Sequence, residues 1–314
     1  MSQKRMNIGI VGVGHLGNIH AKNVICHRAV NAIGYFDPKP IESIPENLND
    51  WKRYLSLGAL LRDADAIIIA TPTPTHSEIA LRAMKRGVHC LIEKPIADTV
   101  LAAQNVVSCA EKNKIIATVG HVERFNPAWT YVNSQHLKPR FLEVHRLASF
   151  TNRSTEIAVV LDLMIHDIDL VLWLTNSKTS SIQANGVSVV TDKIDIATAR
   201  IVFQNGCVAN LTASRISTKS MRKIRIFQQN KYVGVDLLDK SVEDISIGSK
   251  PTKNIENLFD KKLHVAKNGN AILEEQKDFI AAIRQQKLPK VPAADGLTAL
   301  KIALEIEEII NRSR

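Results

Sequence analysis

A doubly wound parallel α/β domain followed by an α+β domain on an open, mainly antiparallel sheet is the architecture this sequence predicts, and three observations predict it. Through residue 121, short apolar runs that lack polar alternation recur between helix-like stretches. Beyond that point the β-type runs lengthen and several alternate. A chain of 314 residues is also too long for one compact core and too short for three, which favours two domains. The expected boundaries are 1–121 and 122–314, with the closing helices able to pack back on the first domain.

In the first domain the apolar runs at 7–11, 31–36, 66–70, 88–92 and 115–119 have the continuous hydrophobicity of parallel strands covered on both faces. Helical patterns at 77–86 and 99–112 lie between them. In the second domain, segments at 141–150, 182–190, 194–203, 207–216, 223–228 and 232–238 read as an antiparallel sheet, and Asn205-Gly206 is a hairpin turn signal. One helix is expected over 161–174 and another over 272–286. Pro289 and Pro292 then precede a last helix, N-capped by Asp295 and running to residue 312.

Composition narrows the class. Hydrophobic residues at 45% and charged residues at 23% describe a globular chain. Lys plus Arg number 41 against 31 Asp plus Glu, a formal net charge of +10, which raises polyanionic partners. Nucleic acid would rest on charge alone, since no recognition-helix or aromatic RNA-binding signature accompanies it and aromatics are only 5%. Cys26, Cys90, Cys109 and Cys207 lie far apart without CxxC spacing, so neither disulfides nor a metal site is expected. No apolar run approaches the roughly 20 residues of a membrane span, and the expectation is a soluble cytoplasmic protein without membrane partners.

The strongest local signal is Gly12-Val13-Gly14-His15-Leu16-Gly17, directly after the first strand and opening a helix. Gly12 permits a tight turn, Gly14 lets the backbone approach a pyrophosphate, and Gly17 permits close packing of helix on strand. The second strand ends at Asp37, 20 residues beyond Gly17, where a carboxylate would bond the ribose hydroxyls of a dinucleotide. Its charge would repel a 2′-phosphate, favouring NAD over NADP. Two further elements follow predicted strands on the edge where α/β sheets bind ligands: Thr71-Pro72-Thr73-Pro74-Thr75-His76 and Glu93-Lys94-Pro95.

These motifs, with Asp162, His166 and Asp169 further on, occur in the order and spacing of the glucose–fructose oxidoreductase, inositol dehydrogenase and rhizopine catabolism (Gfo/Idh/MocA) family, which the chain resembles over nearly its whole length. The resemblance implies a Rossmann domain joined to an open-sheet domain. It implies cofactor contacts from Gly12, Gly14, His15, Leu16, Gly17, Asp37, Thr71, Pro72, His76, Glu93 and Lys94. Substrate contacts are implied for Lys94, Arg124, Phe125, Asn126, Asp162, His166 and Asp169.

Asp162, His166 and Asp169 are spaced i, i+4 and i+7, which puts them on one face of a helix. That face is either an acidic solvated one or a site, and the apolar residues between favour the site. Oxidising a secondary alcohol needs a group to take the hydroxyl proton, ideally with a pKa near the working pH. His166 suits that role, Lys94 can stabilise the developing alkoxide or, if desolvation lowers its pKa, act as the base itself, and Asp162 can orient the site. Asp169 is either a hydroxyl contact or an ion-pair partner.

Gly120-His121-Val122-Glu123-Arg124-Phe125-Asn126-Pro127 together with the Asp162 to Asp169 run resembles the branch that contains UDP-N-acetylglucosamine 3-dehydrogenases, including those preparing a 3-amino sugar for lipid A. Met164 stands where members acting on inositol or free sugars carry a small residue. The expected activity is therefore NAD-dependent oxidation of the 3-hydroxyl of UDP-N-acetylglucosamine. A free sugar, cyclitol or bilin is the alternative substrate, and a non-catalytic NAD-binding regulator the alternative class. Residues 215–231 hold six basic residues and no acidic one, readable as a diphosphate site or as a solvated basic strand edge. The exposed face expected of a large sheet predicts a homodimer or homotetramer.

Overall fold

The structure, a computed structural model, describes residues 4–39, 44–151, 155–247, 259–266 and 269–312. The chain divides into two units, Met1–Val122 with Asn270–Leu300, and Glu123–Gly269 with Lys301–Arg314.

The first unit is built on five parallel strands, β1 (Met6–Val11), β2 (Val30–Phe36), β3 (Ala66–Ile69), β4 (His89–Ile92) and β5 (Ala117–Val119), in the order β2-β1-β3-β4-β5. Strand order reverses between β1 and β3, so the loops leaving their carboxyl ends flank the crevice where such sheets take ligands. Ile67, Ile68 and Ile69 are fully buried, which explains why β3 lacks any polar alternation. Helices α1 (His15–Val24), α2 (Leu57–Asp63), α3 (His76–Met84) and α4 (Val100–Lys112) are the crossovers. Ser56 and Thr99 start two of them by accepting from the N–H groups of Ala59 and Ala102.

The second unit begins with α5 (Pro127–Asn133) and carries an eight-stranded sheet: β6 (Phe141–Leu147), β7 (Thr179–Val187), β8 (Ile196–Phe203), β9 (Val208–Ser214), β10 (Met221–Gln228), β11 (Lys231–Asp236), β12 (Ser241–Ile247) and β13 (Phe259–Val265). Its order is β13-β12-β11-β10-β6-β9-β8-β7, antiparallel throughout except for β6 against β9. Gly206, at φ +82°, makes the expected β8–β9 turn, and the Asn205 side chain accepts from the Cys207 N–H. Leu142, Val144, Leu211, Ile224 and Ile226 are buried on the face that α6 (Ile165–Thr175) covers. Two closing helices, α7 (Ala271–Gln285) and α8 (Ala293–Arg312), complete the chain.

Three local expectations change. Strands β12 and β13 join the sheet although their sequences predict none. Residues of β13 are exposed on both faces, so a charged edge strand leaves no apolar alternation to read. Helix α8 begins two residues before Asp295 because the Pro292 carbonyl accepts the Asp295 N–H at 2.9 Å; Asp295 sits in the first turn rather than at the cap. The regular helix expected over 161–174 opens instead with a π-turn, Val160–Met164, whose i→i+5 bonding widens the backbone ahead of α6.

Candidate active site

Two of the three loop glycines, Gly12 and Gly17, sit where no other residue type fits. Gly12 has φ +83°, and a Cβ there would stand 2.7 Å from the Ala70 carbonyl oxygen. A Cβ on Gly17 would fall 1.9 Å from the Gly12 oxygen, whereas one on Gly14 would meet nothing within 4 Å. Helix α1 thus starts against β1 with no side-chain cap, its first N–H groups turned to the open space beside Gly14. Asp37 closes the other side. Its Oδ2 accepts from the Val13 N–H at 2.8 Å and its Oδ1 from the Lys39 N–H at 2.9 Å, placing a buried carboxylate at the loop. An uncapped helix start, an open Gly14 and a carboxylate at the end of β2 fit a dinucleotide. His15 and Leu16 lie exposed at the same helix start.

The loops after β3 and β4 are fastened together. His76 is buried, its Nδ1 2.9 Å from the Pro95 carbonyl and its Nε2 2.8 Å from that of Thr71. Both ring nitrogens therefore face backbone, so His76 clasps the two loops and presents neither nitrogen to a ligand. Thr75 braces the turn by donating to Thr71 Oγ1 or the Pro72 carbonyl. In the second loop Lys94 is half-buried, and its backbone N–H donates to Glu93 Oε2 at 3.2 Å. Glu93 Oε1 lies 2.8 Å from His20 Nε2. Burial pushes the Glu93 carboxyl upward, but the His20 bond and the Lys94 charge outweigh it and hold it below its usual value. A Cβ on Gly120 would be 2.9 Å from Glu93 Oε2, so the glycine makes room for this carboxylate.

In the second unit the π-turn and α6 separate the three residues of the polar run. Asp162 and His166 are half-buried, while Asp169 is 1% exposed. Asp169 receives Arg124 through both oxygens, Nε to Oδ2 at 2.7 Å and Nη2 to Oδ1 at 2.6 Å. Of its two expected roles it performs the ion pair. Asn126, expected at the substrate, spends its side chain on structure: Oδ1 accepts from the Ala128 N–H, and Nδ2 donates to Leu237 O at 2.9 Å and Glu123 Oε2 at 3.2 Å. Phe125 is buried beside it.

A family model described as an oxidoreductase family with an NAD-binding Rossmann fold matches residues 6–121, and one described as a GFO/IDH/MocA C-terminal domain matches residues 125–231. This chain belongs to the Gfo/Idh/MocA oxidoreductase family. Among its relatives, a UDP-N-acetylglucosamine 3-dehydrogenase from Acidithiobacillus ferrooxidans is 38% identical over 305 residues, covering 96% of each chain. A solved structure of a UDP-N-acetylglucosamine 3-dehydrogenase from the same organism superposes with TM-score 0.90 at 35% identity, covering 98% of both chains. An apo scyllo-inositol dehydrogenase from Lactobacillus casei superposes with TM-score 0.81 at 20% identity, covering 100% of this chain and 98% of its own, a likeness of fold. As a Gfo/Idh/MocA member the chain is an oxidoreductase with a nicotinamide cofactor.

The basic stretch of this Gfo/Idh/MocA chain lies within the sheet rather than along its edge. β10 is an interior strand, not an edge, and its cations face carboxylates on neighbouring elements: Arg222 meets Glu123, Arg225 meets Glu143 and Lys223 meets Asp236. Lys231 meets Asp244 at 2.8 Å, and buried Arg215 bonds the Ile157 carbonyl. Three of the six cations, Lys223, Arg225 and Lys231, thus pair with a carboxylate on the neighbouring strand.

Several residues escaped sequence reasoning. Buried Arg146 holds Asp167 through two bonds of 2.8 and 2.9 Å and Glu123 through one of 2.9 Å. Burial works to raise Glu123, yet the Arg146 and Arg222 charges keep it below its usual range. No spacing rule joins residues 123, 146 and 167. A signal does exist for Gln276. With Phe279, Ile280 and Ile283 it occupies the i, i+3, i+4, i+7 face of α7, a polar residue in an apolar stripe.

Proposed function

We propose that this protein oxidises the 3-hydroxyl of UDP-N-acetylglucosamine with NAD, giving the 3-keto nucleotide sugar and NADH. The observation that carries the substrate is 38% identity to a UDP-N-acetylglucosamine 3-dehydrogenase across 96% of each chain. Gly12, Gly14, Gly17 and the start of α1 would hold the pyrophosphate of the cofactor, Asp37 its adenosine ribose, and Thr71 and Glu93 its nicotinamide end. The negative charge of Asp37 favours NAD over its 2′-phosphorylated form.

A bound nicotinamide supplies the hydride acceptor. His166 takes the hydroxyl proton as the C–H hydride departs, and Lys94 stabilises the developing alkoxide with its ammonium. Asp162, one turn before His166, orients the base. Arg124, Asp169 and Asn126 act on this reaction only by holding their elements in place.

The partly exposed sheet face supports a homodimer or homotetramer. Phe141, Phe227 and Tyr232 form a row across it, with ring centroids 5.9 and 5.2 Å apart. Sedimentation as a monomer would remove this assembly from the proposal. Cytoplasmic residence accords with four free cysteines.

Incubation with NAD and UDP-N-acetylglucosamine tests the activity: NADH absorbance should rise. Silence with the nucleotide sugar but turnover of inositol or glucose would replace the substrate.

A further inference from the structure

Helix α7 supplies two buried polar residues for which the proposed reaction has no use. Gln276 is 1% exposed and Glu275 2%. Gln276 Nε2 lies 3.1 Å from the His20 backbone oxygen and 3.0 Å from His20 Nδ1, while its Oε1 lies 3.0 Å from His27 Nε2.

Donor and acceptor accounting fixes every proton in this chain of groups. A backbone carbonyl only accepts, so the NH2 end of Gln276 must face His20. Its second N–H then points at His20 Nδ1, which must be the bare, accepting nitrogen. The His20 proton sits on Nε2 and is donated to Glu93 Oε1 at 2.8 Å, leaving Oε2 for the Lys94 backbone N–H. At the far end His27 Nε2–H donates to Gln276 Oε1. Burial pushes the His27 ring below its usual value, consistent with a neutral donor. Burial and the Glu93 charge push the Glu275 carboxyl well above its ordinary value.

We propose that Gln276 is a positioning residue for Lys94: it selects the His20 tautomer that anchors Glu93, and Glu93 in turn holds the Lys94 backbone. The links are Gln276 to His20, His20 to Glu93 and Glu93 to Lys94, with His76 fixing the Pro95 carbonyl on the other side of the lysine. The proposal rests on Lys94 acting at the reacting hydroxyl. Flipping the Gln276 amide would set its oxygen against the His20 carbonyl. The proton order therefore has one stable direction, and the lysine needs no flexible partner to find its place. Charged and titratable groups around His20 are Glu93 and Lys94 beyond β4, Glu275 on α7, and, through Gln276, His27 with Glu274 and Lys277.

Histidine-selective 15N NMR of the full chain, assigned with a His20→Gln variant, reads the tautomer directly. His20 in the wild-type protein should show a protonated Nε2 and a bare Nδ1. An Nδ1–H tautomer or an imidazolium would overturn the proposal. Gln276→Met, similar in shape but unable to bond, should abolish that signature and lower kcat about tenfold or more with NAD affinity unchanged, since small displacements of a catalytic group are costly. His20→Gln, whose amide can still donate to Glu93, should keep kcat within about threefold of wild type, and His20→Leu should not. Wild-type kcat in Gln276→Met refutes positioning. If Lys94→Ala leaves turnover intact the catalytic assignment fails, while the NMR result still decides the hydrogen-bond order.

Discussion

Arg124 and Asp169, 45 residues apart, meet through two hydrogen bonds of 2.7 and 2.6 Å, with side chains only 5% and 1% exposed. A bidentate guanidinium–carboxylate pair out of water ties the segment before α5 to the middle of α6. Removing one partner strands a buried charge, which costs far more than the pair itself contributes. Asp169→Asn should therefore lower unfolding free energy by about 3 kcal/mol in urea titration. An unchanged urea midpoint with a raised substrate KM would return Asp169 to the substrate.

Two glycines of one loop should fail in opposite ways. Gly17→Ala drives a methyl to 1.9 Å from the Gly12 oxygen, so the loop must move, and a loss of about 2 kcal/mol in stability is expected. Gly14→Ala meets nothing within 4 Å and should fold nearly as well. Its methyl occupies the space left for the pyrophosphate, and the NAD dissociation constant should rise about tenfold, some 1.4 kcal/mol. Calorimetric titration beside thermal melts separates the two; equal NAD affinity in Gly14→Ala would show that the loop is only a turn.

Loss of the alkoxide stabiliser and loss of the base should both act on chemistry rather than on binding. Lys94→Ala should reduce kcat by about 10³-fold or more, and His166→Asn by 10²- to 10⁴-fold on the same order-of-magnitude scale, with NAD binding by fluorescence titration unchanged. Normal turnover in either variant removes that residue from the mechanism.

Glu307, on α8, sets a pH dependence. Burial raises its carboxyl to about 7, against a partial opposing effect of Lys193. The folded chain then holds a proton that the unfolded chain releases near its ordinary value of 4.5. Stability is full below that value and is lost as pH rises towards 7, by about 2 kcal/mol once the remaining exposure is discounted. Glu307→Gln should flatten the loss between pH 5 and 7.5, on the order of that range. An unaltered pH–stability curve would show that the carboxyl is already ionised.

Much of the first unit was legible because its determinants are local. Gly12 and Gly17 must be glycine for reasons of φ and close approach, and Ile67 to Ile69 announce a strand buried on both faces. The resemblance to the Gfo/Idh/MocA family was legible for the same reason, since its motifs are short and contiguous. β13 was not, because an exposed edge strand buries nothing and so leaves no pattern.

By itself the sequence determined the parallel sheet, the dinucleotide loop, the candidate pair of Lys94 and His166, and the family. Tertiary structure alone decided which polar residues are already occupied. It set Asp169 in an ion pair and Asn126 at a helix cap, placed cations of β10 beside carboxylates of neighbouring elements, and brought Gln276 to His20 across 256 residues. The physical reason is that a hydrogen bond or ion pair depends on distance in space. Spacing along the chain fixes that distance only within a helix, a strand or a turn.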